Sequence, residues 1–142
     1  MKKTINSTIA LVLSLVIVIC LAVCGAAEKT NVWENATYTE DTEFGEGAKV
    51  LVTEVKTEEK TITFTIHTDK ATVGEALLEH GLIAGEAGPY GLYIKEVNGI
   101  RADYDTDQSY WAFYINGEYA LSGVDTTEIT EGSIYQLAYT KG

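Results

Sequence analysis

The sequence predicts an α+β domain, a mixed sheet with one helix packed on one face, β-grasp-like in outline. Three observations predict it. Apolar residues alternate with polar ones over 50–55, 62–66 and 133–140, the period of half-buried strands. One capped helix signal, TVGEALLEHG at 72–81, stands among them. Asn-Gly pairs at 98–99 and 116–117 mark tight hairpin turns, because both residues take positive φ at little cost. One helix burying one stripe against one sheet is the economical arrangement of these parts.

Residues 1–24 differ from the rest. Lys2 and Lys3 precede an apolar run that starts at Ile9 and is broken only by Ser14. A basic start, an apolar middle and small residues at the exit are the order of a secretory signal. The residues LAVCG at 21–25 resemble a bacterial lipobox, whose cysteine, here Cys24, is lipidated and becomes the new N-terminus. Val23 stands where that motif usually has Gly, Ala or Ser. Cleavage near Ala26 or Ala27 is the second reading. A retained anchor is the third, the run being slightly short of the ~20 apolar residues of a spanning helix. Each reading exports the domain, held on the outer face of the cell membrane as a lipoprotein or else secreted. Cys20 and Cys24 are the only cysteines, so the exported part has no disulfide, no thiol catalysis and no Cys-ligated zinc.

The 142 residues carry a formal charge of −11. Without Lys2 and Lys3 the ten basic residues become 8, against 21 acidic ones, a net of −13. Such a domain repels nucleic acid and anionic lipid headgroups. The acids are scattered rather than blocked, which reads first as solubility.

Residues 25–47 read as an acidic tether, with Trp33, Tyr38 and Phe44 isolated in it and a short strand as an alternative within it. From 48 the pattern becomes regular. Residues 48–55 and the run Ile62, Phe64, Ile66 form a hairpin around the charged turn 56–60, with His67 at its end. Thr72 can accept from the N–H of Glu75, whose carboxylate can reach back to Thr72. The helix puts Val73, Ala76, Leu77 and His80 on one side, and stops at Gly81 with Leu82 packing back on Leu77. Residues 83–91, with Gly85, Gly88, Pro89 and Gly91, read as a loop carrying Tyr90. A strand at 92–97, the Asn98-Gly99 turn and an acidic loop at 101–108 follow. The aromatic stretch SYWAFYINGEYALSGVD at 109–125 reads as a strand, a turn and a returning strand. Alternation puts Trp111, Phe113 and Ile115 on one face and Tyr110, Ala112 and Tyr114 on the other. The first face reads as core and the second as open to solvent or ligand. Glu131-Gly132 makes the last turn before a terminal strand with Tyr135, Leu137 and Tyr139 on one face.

Chemistry-bearing residues are sparse. Trp111 reads first as core and second as a ligand contact. His80 reads as a partner for the helix C-terminus and His67 as a strand end, with metal ligation the minor reading. Asp103, Asp105, Asp107 and Ser109 alternate as in a calcium loop, but Gln108 and Tyr114 stand where that loop wants Gly and Glu. A solvated acidic loop is the favoured reading there. No G-x-S-x-G, H-E-x-x-H or P-loop is present, and the sequence points to a protein that is not an enzyme and requires no cofactor.

The residues VNGI at 97–100, SYWAF at 109–113 and SGVD at 122–125, followed by an apolar terminal strand, resemble the C-terminal domain of transcobalamin and gastric intrinsic factor. TVGEALLEHGL at 72–82 is similar to the helix of that domain. Residues 48–142 are accordingly identified with the transcobalamin-like C-terminal domain family, which bacteria export in a free-standing version. In the vertebrate carriers the domain closes over one side of cobalamin, while a helical barrel holds the other. The resemblance implies a cobalamin or related corrinoid ligand met by Tyr110 and Trp111 and by the loop at Gly123 and Val124. Tyr114 and Tyr90 join these as ligand-binding candidates on the residue pattern, since tyrosine gives wide rigid contact with a polar tip. The function expected is non-catalytic corrinoid binding at the cell surface. The alternatives are a surface module for a protein or glycan, and a half-site that needs a partner domain.

Overall fold

The computed structural model describes residues 31–142. The signal segment, Cys24 and the first part of the expected tether lie outside the described residues. The chain divides into two units at Val32, and the second, Trp33–Gly142, carries every strand described. Among the described residues the architecture is α+β, dominated by strands, with two short helices. Among the described residues no helix is long and apolar enough to cross a membrane.

Six strands form the main sheet: β1 (Thr42–Gly45), β2 (Lys49–Lys56), β3 (Thr61–Thr68), β7 (Ser109–Ile115), β8 (Glu118–Tyr119) and β9 (Ile134–Lys141). Their order is β1-β3-β2-β9-β7-β8. β1 runs parallel to β3 and β2 parallel to β9, and the other pairs are antiparallel. Register carries the core. Val55 faces Ile62 and Leu137, Leu51 faces Ile66, and Phe113 faces Leu137. All of these are buried, each contributing about 1.5–3 kcal/mol.

The helix α1 (Val73–Glu79) adds Val73, Ala76 and Leu77 to that core. Thr72 caps it by accepting from Glu75 N–H at 3.2 Å. At its end Gly81 takes φ 67 and donates to Leu78 O, while Leu82 N–H reaches Leu77 O at 2.9 Å. These are the two bonds of a Schellman stop, and Leu77 and Leu82 are both buried.

Four readings are corrected by the structure. Residues 33–47 are not a tether. A 3-10 turn, Val32–Asn35, buries Trp33, whose indole N–H donates to Thr57 Oγ1 at 2.7 Å. Tyr38 and Phe44 stack at 5.9 Å and both meet Phe64, and β1 pairs with β3. Residues 83–88 are not loop but strand β4, paired with β5 (Gly91–Val97) around a Pro89-Tyr90 turn. Close approach of the partner explains its glycines, since a Cβ on Gly85 would overlap the Tyr93 carbonyl at 2.0 Å. A single sheet was expected, yet β4, β5 and β6 (Ile100–Arg101) make a second one, turning at Asn98-Gly99 with φ 52 and 78. Residues 101–108 are not an open loop. After β6 they wind into α2 (Tyr104–Asp107), capped by Asp103.

Candidate functional site

A cleft opens where the second sheet meets the end of the main one. Its geometry starts at β7. The Asn116-Gly117 turn has φ 50 and 83, as a tight hairpin between right-twisted strands demands. Asn116 Oδ1 also accepts from Ile134 N–H at 2.8 Å, which fixes the turn to β9. The return strand β8 is only two residues long. Ala120 N–H makes a last bond to Phe113 O, and the chain then leaves β7. That departure uncovers one flank of β7, and the loop 120–124 with β5 forms the facing wall.

The cleft has a volume of about 240 Å³. Leu92, Tyr93 and Ile94 line it from β5, Tyr110, Trp111 and Phe113 from β7, and Tyr119, Ala120, Ser122, Gly123 and Val124 from the hairpin return and its loop. No charged side chain is among them. Against it lies a shallower depression of about 460 Å³ lined by Tyr93, Tyr104, Tyr110, Tyr119 and Gly142. Tyr93, Tyr110 and Tyr119 belong to both, so the two make one surface of tyrosine rings. Tyr104 meets Tyr110 edge-on at 6.4 Å.

The expected site residues divide. Tyr110, Trp111, Gly123 and Val124 are brought together in the cleft. Trp111 is 7% exposed, donates its indole N–H to Ile100 O at 3.1 Å and meets Tyr139 edge-on. It is therefore core first, with one edge in the cleft floor. Val124 is buried and anchors the loop, and Gly123 O accepts from the Thr126 and Thr127 hydroxyls. Tyr114 lies outside the cleft lining, with its ring against Tyr119 at 5.6 Å. Tyr90 is 95% exposed at the tip of the β4–β5 turn and also lies outside the lining. The strict division into a core face and an open face fails at two positions. Ala112 is buried, and Ile115 is only half-buried near the open end of the sheet.

Sequence reasoning missed Leu92, Tyr93 and Ile94, because the pairing that places β5 beside β7 has no local signature. It also missed Tyr119, although the Asn-Gly register sets Tyr119 opposite Tyr114. Asp125, the last residue of the SGVD segment, is a further member that no local pattern singles out. Its Oδ2 accepts from Leu92 N–H at 3.2 Å, joining the two walls of the cleft.

The other chemistry-bearing groups serve locally. Asp103 accepts from Asp105 N–H, and Asp107 accepts from both the N–H and the hydroxyl of Ser109. The Ser109 hydroxyl bond holds the Asp107 carboxyl below its usual range, helped by the Ser109 N–H and by Lys141. His67 Nε2 meets Glu43 Oε1 at 2.8 Å between β3 and β1. His80 lies edge-on to Phe44 at 4.8 Å. Among the described residues no three His, Cys, Asp or Glu side chains gather closely enough to hold a metal ion.

A crystal structure of a candidate metal-binding protein from Ruminococcus gnavus ATCC 29149 matches with a TM-score of 0.63 and 30% identity, over 67% of this chain and 99% of that one. Haptocorrin in complex with Cbi shows a fainter likeness, TM-score 0.47 and 18% identity over 66% of this chain and 25% of its own. No curated protein sequence matches. The family model described as a domain of unknown function, DUF4430, matches residues 70–141, from the helix through the cleft to the last strand, and the chain belongs to that family.

Proposed function

We propose that this domain is a non-catalytic binding protein that takes one edge of a flat, neutral, amphipathic ligand, a corrinoid first, between its tyrosines. One observation carries the reading. Tyr93, Tyr110, Trp111, Phe113 and Tyr119 converge on a cleft with no charged side chain in its lining. Aromatic walls with hydroxyl tips suit an apolar rim decorated with amides. The resemblance of SYWAF and SGVD to the transcobalamin-like domain supports the same ligand. The strand order β3-β2-β9-β7, with β2 and β9 parallel at the centre, suits a β-grasp sheet and bears on the fold alone.

The cleft is smaller than the ~300–1,000 Å³ of pockets that engulf a ligand, and so it grips part of one. Tyr90 and Leu121, 95% and 103% exposed on neighbouring loops, support a partner surface that supplies the other half. Export and a lipid anchor at Cys24 complete the proposal, placing the cleft at the outer cell surface. The test is isothermal titration of cyanocobalamin into the full chain beside Tyr110→Ala. Binding at micromolar affinity or better, lost in a folded Tyr110→Ala, supports the reading. No heat from a folded wild type at millimolar ligand overturns the solitary binder.

A further inference from the structure

Three glycines from three elements crowd Asp125, two of them against its carboxylate and one against its backbone. A Cβ on Gly91, at the start of β5, would lie 2.7 Å from Asp125 Oδ1. A Cβ on Gly123, in the cleft loop, would lie 2.9 Å from the same atom, and one on Gly74, in α1, 2.9 Å from the Asp125 backbone N. Oδ2 accepts from Leu92 N–H, and Oδ1 is buried with no hydrogen-bond partner among the described residues. A half-buried carboxylate that accepts from a backbone N–H across a chain separation of 33 residues ties two distant segments together. It joins β5, which carries Tyr93 and Ile94, to the loop that carries Ser122 to Val124.

We propose that Asp125 is a positioning residue of the cleft: its carboxylate pins the β5 wall to the 120–124 loop and sets the gap that a ligand enters. The glycines at 91 and 123 are the clearance that lets the carboxylate reach its place. Gly123 has φ −77, open to any residue, so its lack of a side chain answers to Asp125 and not to backbone strain. The consequence for binding rests on the tyrosine cleft being the ligand site. The pinning does not.

The test is amide hydrogen exchange on the full chain, comparing wild type, Asp125→Ala, Asp125→Asn, Gly123→Ala and the double variant Gly123→Ala/Asp125→Ala. In Asp125→Ala, exchange at Leu92 and over 119–124 rises by about 10-fold or more, while amides in β2 and β3 keep their wild-type rates. Asp125→Asn restores Leu92 protection, because the carboxamide oxygen still accepts. Gly123→Ala loosens the same two segments, and the double variant is no looser than Asp125→Ala alone, since the atom the new methyl strikes is gone. Unchanged Leu92 protection in Asp125→Ala, or additive losses in the double variant, overturns the proposal. If Asp125→Ala does not fold, the Asn and Gly123→Ala arms decide it in the same way. Cyanocobalamin titrated into the same set separates the two claims. A wild type that ignores the corrinoid while the exchange pattern holds defeats the binding reading and leaves the pinning in place.

Discussion

Trp33 decides whether the segment before β1 is linker or fold. In Trp33→Ala the structure sets the cost. The ring is 5% exposed and its indole N–H donates to Thr57 Oγ1. Lys60 Nζ lies 4.5 Å from the ring centroid while donating to Thr39 O. Truncating a buried tryptophan costs about 3–5 kcal/mol in lost transfer energy and cavity. Thr57 Oγ1 adds no orphan penalty, because it still accepts from Glu59 N–H at 3.2 Å. The expected loss is therefore about 3–5 kcal/mol, a large share of the 5–15 kcal/mol that a domain of this kind possesses. Urea unfolding followed by tyrosine fluorescence and far-UV circular dichroism measures it. A loss below about 1 kcal/mol, the scale of a surface substitution, would refute the packing argument and restore the tether.

Two further outcomes follow from named contacts. Gly74→Ala exchanges a helical glycine for the best helix former, which in an open helix stabilises by about 1 kcal/mol. Here the new Cβ meets Asp125 backbone atoms at 2.9 Å, so the expected result is a loss of about 1–3 kcal/mol, and a raised urea midpoint would count against the close approach of α1 to the cleft loop. Asp107 has its carboxyl lowered in the folded state, first by the Ser109 hydroxyl. A lowered folded value means that its contribution is present above the ordinary aspartate range and disappears as pH falls through the folded value. NMR titration should show Asp107 protonating at lower pH than an unpartnered aspartate, and Ser109→Ala should move it back up. An unmoved titration in Ser109→Ala would discard the hydroxyl as the cause.

The sequence by itself determined the elements whose causes are local. The Thr72 cap, the Gly81 stop and the two Asn-Gly turns each need only neighbouring atoms and a φ that few residues reach. The alternation in β2, β3 and β9 shows because one face of each meets the core. Tertiary structure decided what depends on a distant partner. Asn98 illustrates the boundary: its place in a turn is legible, yet its side chain accepts from Tyr38 N–H at 2.9 Å and donates to Tyr38 O at 2.8 Å, holding a segment 60 residues away. β4 has neither alternation nor β-branched density, and becomes a strand only because β5 lies beside it. The cleft belongs to this second class. Tyr110, Trp111, Gly123 and Val124 sit within one aromatic stretch and could be picked out. Tyr93, Tyr104 and Asp125 join them through the packing of a second sheet, a one-turn helix and a carboxylate bond, none of which a local pattern encodes, because the free energy that places them comes from contacts between segments far apart in the chain.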